Sequence, residues 1–323
     1  MKVSVLGCGR WGSFLAWYCS QIKSYDTYLW GRAGAVSLTQ LEKNNGKNDY
    51  LQLPSSVTIT SDLQLTIKDT DIIIISISAQ HFREFLSSID VTIFGDKPVI
   101  LCMKGIECTT GKRLTQVAME CGILRQQVAV WVGPGHIQDL VHNNIPNCMV
   151  VDSYSEDLTR YLAKQLKSNL VRFYFGQDII GTEIGAACKN IIGILAGMLD
   201  GAHLVSLKGP LMSRGAREVG RLIESLGGNS MSAYGLCHLG DYETTLFSQY
   251  SNNRKWGESY VLGHKFDKLA EGVDTTIAVY NIGKMLNIDL PLTYGLRDTL
   301  DNKYSPLDLI KNLFGRPDNK EFY

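Results

Sequence analysis

The sequence predicts a doubly wound, mainly parallel α/β sheet over its first half, followed by an all-α second domain. Three observations carry that prediction. Short apolar, β-branched runs alternate with helical stretches up to about residue 176. A glycine-rich turn directly follows the first of those runs. From about residue 180 the strand-like runs stop and long segments with helical spacing take over.

The runs VSVLG (3–7), TYLW (27–30), DIIIISIS (71–78), PVILCM (98–103) and VAVWVG (128–133) are continuously apolar rather than alternating. That is the pattern of strands covered on both faces. NCMVVD (147–152) and VRFYFG (171–176) are expected to complete the sheet. Strands separated by helices point to a doubly wound domain. Helical spacing then predicts helices over 182–199, 209–226 and 267–287. The change of texture falls between Gly176 and Gly181, which predicts a dinucleotide-binding domain at 1–180 and a helical substrate domain at 181–323.

Composition narrows the function. Of 323 residues, 45% are hydrophobic and 20% charged, the mix of an ordinary globular protein. Lys+Arg and Asp+Glu both number 32, so nothing in the net charge draws the chain to nucleic acid. Any anion site has to be built locally. The eight cysteines form no CxxC pair, which suits reduced thiols in a cytosolic protein. The apolar start MKVSVL is broken by glycines and Arg10 too early for a secretory signal. No stretch is expected to reach the roughly 18 apolar residues of a membrane span. A cytoplasmic location follows as the expectation.

Gly7-Cys8-Gly9-Arg10-Trp11-Gly12 matches GxGxxG between the first strand and a helical stretch (13–22), the context of a Rossmann-type dinucleotide turn. Gly7 permits the tight turn, Gly9 admits a pyrophosphate, and Gly12 allows close helix–sheet packing. The free N–H groups of the helix N-terminus favour the anion. The second strand ends Trp30-Gly31-Arg32, without the carboxylate that often holds the ribose of NAD. Arg32 suits the 2′-phosphate of NADP, so the expected cofactor is NADP(H), with NAD(H) not excluded.

Ligands of such sheets sit outside the strands' carboxyl ends. There the sequence places Lys104-Gly105 and Gly133-Pro134-Gly135-His136. Lys104 reads either as a crevice lysine or as a solvated loop residue. Lys189 is sharper: between Ile184 and Leu199 it is the only charge. A buried ammonium is costly unless paired, hydrogen-bonded or neutralised, and its pKa falls toward the range useful for proton transfer. Asp241, in the turn GLCHLGD (235–241), fits a site role, orienting Lys189 or bonding a substrate hydroxyl, as well as a cap on the next helix.

Taken together these residues resemble the soluble bacterial type of NAD(P)-dependent glycerol-3-phosphate dehydrogenase. The matching motifs are GxGxxG at 7–12, KGIE..TG at 104–111, GPG at 133–135, GTEIGAACKN at 181–190 and RGAREVGRL at 214–222. They continue with GLCHLGD at 235–241, SNNRKWG at 251–257, EGVDTT at 271–276 and LFGRPDNKE at 313–321. The resemblance implies hydride transfer between a nicotinamide and dihydroxyacetone phosphate, giving sn-glycerol 3-phosphate for glycerophospholipid metabolism. It implies Lys189 as general acid/base, Lys104 as a second lysine touching cofactor and substrate, and Asp241 as the carboxylate holding lysine and substrate. By the same resemblance Glu271, Ile137 and Asn252 join Arg10, Trp11 and Arg32 at the cofactor. Gly133, Gly135, Ser251, Asn252, Asn253 and Arg254 join the lysines at the substrate, a small phosphate ester. No metal is expected, and apolar helical surfaces make a homodimer plausible.

Two loops depart from the family pattern. The stretch SQYSNNRKWG (248–257) has Ser251-Asn252-Asn253 where the family reads Ser-Arg-Asn, so an amide replaces a phosphate-clamping arginine. The Gly133-Pro134 turn continues Gly135-His136-Ile137 instead of Ser or Thr then Phe-Ala. These departures leave room for a reductase of another keto substrate, or for a catalytically weak nucleotide-binding homologue.

Overall fold

The computed structural model describes residues 1–316 and 321. Part of the tail motif, residues 317–320, therefore lies outside the described residues. Eight strands form one sheet: β1 (Lys2–Leu6), β2 (Asp26–Trp30), β3 (Val57–Thr60), β4 (Ile72–Ile75), β5 (Val99–Leu101), β6 (Val128–Val132), β7 (Asn147–Ser153) and β8 (Val171–Phe175). Their order is β3-β2-β1-β4-β5-β6-β7-β8. Neighbours from β3 to β6 are parallel, with β1 flanked by β2 and β4. The chain thus winds outward both ways from β1, and a crevice opens above the carboxyl ends of β1 and β4. Separate apolar clusters cover the two sheet faces, one around Val3, Val5 and Ile72, the other around Leu6, Ile73 and Ile75.

Two features of the sheet differ from the expectation. β3 was not foreseen, because VTIT is half polar and only Val57 is fully buried at this sheet edge. β7 runs antiparallel to β6, and β8 follows β7 in parallel. Residues 133–146 join β6 to β7 with only the helical turn Gln138–His142 between them. A parallel return needs a full crossover, usually a helix across the sheet face, which this link does not supply.

The later part is helical: Ile179–Gly201, Lys208–Ser225, Asn252–Leu262, Glu271–Met285, Pro291–Leu300 and Pro306–Phe314. Ile179–Gly201 is buried around nearly its whole circumference, as its composition requires. With 23 residues it is long and apolar enough to cross a membrane, which corrects the expectation that no stretch would be. Its glycines, alanines and cysteine raise the hydropathy, yet 89% of its apolar window is buried inside the protein itself.

The closest helix contact positions the site. Gly197 faces the backbone of Asn252–Leu262, and a Cβ there would lie 1.8 Å from Arg254 O. Reciprocally, a Cβ on Gly257 would lie 2.0 Å from Ile194 O. These glycines let the two backbones touch, which brings Asn252 and Asn253 beside Lys189 and Asn190. Gly257→Ala is therefore expected to destabilise the fold by about 3 kcal/mol or more, at the upper end for overpacking, because backbone rather than a flexible side chain must yield. Urea unfolding checks this; an unchanged midpoint would contradict the close-packing account.

Candidate active site

A cavity of about 1050 Å³ runs across the carboxyl ends of the strands and under the helical domain. Its lining includes Gly7, Gly9, Arg10 and Trp11 of the glycine turn, Gly31 and Arg32 from the end of β2, and Lys104, Lys189, Asn190 and Glu271. The glycine turn has the shape a pyrophosphate needs. Gly7 takes φ +113°, and a Cβ there would meet Ser76 O at 2.2 Å. A Cβ on Gly12 would meet Gly7 O at 1.7 Å, so Gly12 packs under the turn and does not itself line the cavity. Gly9 has open space around its missing Cβ and begins the helix Arg10–Trp17 with no side-chain cap. The first N–H groups of that helix are thus available to an anion. Trp11 Nε1, buried and without a partner, is a further unsatisfied donor at this turn.

The two lysines belong to a charged network. Asp241, 1% exposed, accepts from Lys104 Nζ at 3.0 Å and from Lys189 Nζ through the same oxygen, Oδ2. Lys104 also donates to Gly133 O at 2.6 Å, and Lys189 to Thr245 Oγ1 at 3.0 Å. Thr244 Oγ1 donates to the other oxygen, Oδ1. Burial pulls the Lys189 ammonium down to about 8, against the pull of Asp241, and Lys104 adds to the fall. Burial alone would raise the Asp241 carboxyl, but Lys104 and Lys189 outweigh it and hold it below the usual range. Burial lifts Glu271 to about 7, opposed by the two lysines. Two cations on one carboxylate leave net positive charge facing the cavity, as a developing alkoxide requires.

The loop before helix Asn252–Leu262 is tied to this network. Ser251 caps that helix by accepting from Arg254 N at 3.3 Å. Asn253 donates to Asn190 Oδ1 at 2.9 Å and accepts from Gly272 N at 2.9 Å. Asn190 in turn donates to Lys104 O at 3.2 Å, so these amides bind three elements around the lysines.

A family model for the N-terminus of NAD-dependent glycerol-3-phosphate dehydrogenase matches residues 2–158, and one for its C-terminus matches residues 178–311. The chain belongs to the NAD-dependent glycerol-3-phosphate dehydrogenase family. It is 32% identical to the glycerol-3-phosphate dehydrogenase (NAD(P)+) of Chlorobium phaeobacteroides, over 99% of each protein. Identity to the Bacillus pumilus protein of the same name is 30%, over 98% of this chain and 94% of the relative. Among solved structures, glycerol-3-phosphate dehydrogenase from Coxiella burnetii superposes with a TM-score of 0.87 at 26% identity, covering 98% of this chain and 99% of that one.

This dehydrogenase gathers most of the expected residues on one cavity: Arg10, Trp11, Arg32, Lys104, Gly135, Ile137, Lys189, Ser251, Asn252, Asn253 and Glu271 all line it. Gly133 contributes its carbonyl to Lys104 from just outside, and Asp241 sits behind the two lysines. Arg254 departs from the expectation. Its Nε lies 2.5 Å from Asp200, a carboxylate only 8% exposed, which Lys208 also holds at 2.7 Å. Releasing it would leave a buried charge half-compensated, so Arg254 fastens two helices and does not line the cavity. His136 lines the cavity as a neutral ring, lowered to about 4 by burial and by Arg10, with Nε2 bonded to Thr244 O at 2.9 Å. Thr244 and Thr245 were missed: their hydroxyls matter only because one helical turn brings residues 241, 244 and 245 together.

Proposed function

We propose that the chain reduces dihydroxyacetone phosphate to sn-glycerol 3-phosphate, and runs the reverse oxidation, with NADP(H) or NAD(H). The observation that carries this reading is the buried Lys189–Asp241–Lys104 network on a cavity that a dinucleotide turn also lines. Residues 1–180 then serve as the dinucleotide domain and 181–323 as the helical substrate domain. Gly7, Gly9 and the N-terminus of Arg10–Trp17 would hold the pyrophosphate, Gly12 would support that turn, Arg32 would meet the adenosine ribose, and Glu271 would flank the nicotinamide. A bound nicotinamide supplies or takes the hydride at the substrate's C2. Lys189 donates the proton to the developing alkoxide on reduction and accepts it on oxidation. Lys104 stabilises the same oxygen, and Asp241 keeps both ammonium groups aimed at it. Net charge offers no attraction to nucleic acid. A cytoplasmic homodimer is the assembly this reading favours.

One observation favours a second reading, a different keto substrate: Asn252 presents a neutral amide to the cavity, and Arg254 does not replace it. Loss of NADPH absorbance with dihydroxyacetone phosphate, beside NADH and a panel of unphosphorylated ketones, separates the two. Turnover only with the latter would overturn the phosphate reading. The pH dependence gives an independent check. Reduction needs protonated Lys189, so kcat should fall above about 8, whereas oxidation needs the neutral amine and should rise through the same pH. Two profiles of the same sign would remove Lys189 from the proton transfer.

A further inference from the structure

A cation favours a phosphate ester, and the cationic side chains of this cavity can be assigned one by one. Lys104 and Lys189 both donate to Asp241. Arg10 reaches Tyr250 O at 3.5 Å and Gln138 Oε1 at 3.4 Å. The Arg32 side chain is likewise exposed and without a hydrogen bond or ion pair among the described residues, but it stands at the end of β2, where the adenosine ribose of the cofactor is expected. Arg254 is committed to Asp200. Lys268 remains. It lines the same cavity, is exposed, and has no hydrogen bond or ion pair among the described residues.

The surrounding backbone is held in place for that lysine. Asn252 Nδ2 donates to Leu269 O at 3.1 Å, and Gly272 N donates to Asn253 Oδ1 at 2.9 Å. The segment carrying Lys268 is thereby fixed to the two amides that form the neutral wall of the cavity. Asn252 does not supply charge there; it ties down the chain that does. Lys268 is also next in sequence to Leu269, whose carbonyl Asn252 holds, and three residues before Glu271, which lines the same cavity.

We propose that Lys268 is a specificity-determining residue of this enzyme, its ammonium binding the substrate's phosphate monoester beside Asn252 and Asn253. The proposal rests on the phosphate-substrate reading above. An exposed ammonium on a flexible stem is a mobile point charge, so it suits a terminal phosphate and gives up the two-pronged geometry of a guanidinium.

Lys268→Met keeps the stem and removes the charge. Its KM for dihydroxyacetone phosphate is expected to rise about tenfold, the effect of one lost charged hydrogen bond. Its kcat, its KM for NADPH and its kcat/KM for unphosphorylated dihydroxyacetone should stay within about threefold of the parent. Adding Asn252→Arg should bring the raised KM for dihydroxyacetone phosphate much of the way back down. An unchanged KM for dihydroxyacetone phosphate overturns the proposal, and so does a rise confined to NADPH, which would assign Lys268 to a cofactor phosphate. If the parent protein itself shows no turnover with dihydroxyacetone phosphate, the functional reading fails. Parent turnover with an unaffected Lys268→Met variant sinks only the role of Lys268.

Discussion

Replacing Lys189 with alanine is expected to lower kcat for reduction of dihydroxyacetone phosphate about a thousandfold or more, with the protein still folded and still binding NADPH. Loss of a positioned proton donor costs about 10²–10⁴ in rate, and loss of a preorganised charge at the reacting oxygen about 10²–10³. The two overlap here because one ammonium does both jobs, so the effects do not multiply. Stability should suffer little. The substitution removes an ammonium that burial already disfavours, and Asp241 keeps Lys104 at 3.0 Å and the Thr244 hydroxyl as partners. The same change at Lys104 should cost less in kcat, since Lys104 is 18% exposed and also bound to Gly133 O. Single-turnover absorbance, NADPH fluorescence titration and thermal melts measure all three quantities. A Lys189→Ala enzyme within about tenfold of the parent, or a larger loss at Lys104, would transfer the proton to another group.

Much of this was legible in the sequence because the residues break a local rule. Lys189 is the only charge between Ile184 and Leu199, and GxGxxG follows a strand directly, so each signals its burial or its ligand without knowledge of the fold. Asp241 stayed ambiguous because its partner lies 52 residues away; local sequence fits a helix cap as well as a counter-ion. Arg254 misled for the same reason. Adjacent to the substrate loop in sequence, it turns to Asp200, and nothing in SNNRKWG reveals that a buried carboxylate waits there. β3 was hidden because an edge strand need not be apolar, and the reversal at β7 is set by the length of a connection rather than by strand composition. Lys268 carried no signal at all. An exposed lysine between helices is ordinary until the cavity wall is known.

Asp241→Asn should separate orientation from charge. The amide keeps the shape but leaves Lys104 and Lys189 facing each other without a counter-ion. Removing one partner of a buried pair commonly costs about 3–5 kcal/mol. Lys189 has a cheaper way out, because its ammonium is already lowered to about 8. Shedding that proton at pH 7 adds only about 1.4 kcal/mol per pH unit, so the stability loss should be about 1–3 kcal/mol, with the chemistry bearing the rest. The sign follows from linkage. A lysine whose folded pKa lies below its unfolded value weakens the fold while it is held protonated, and the penalty fades as pH rises toward the unfolded value. The variant should therefore lose less stability at pH 9 than at pH 7. Its reduction limb should move to lower pH, with kcat at pH 7 down about a hundredfold, while oxidation, which uses the neutral amine, suffers less. Urea unfolding at both pH values and pH–rate profiles in both directions test this. A reduction profile still breaking near pH 8 would mean that Asp241 does not set the charge state of Lys189.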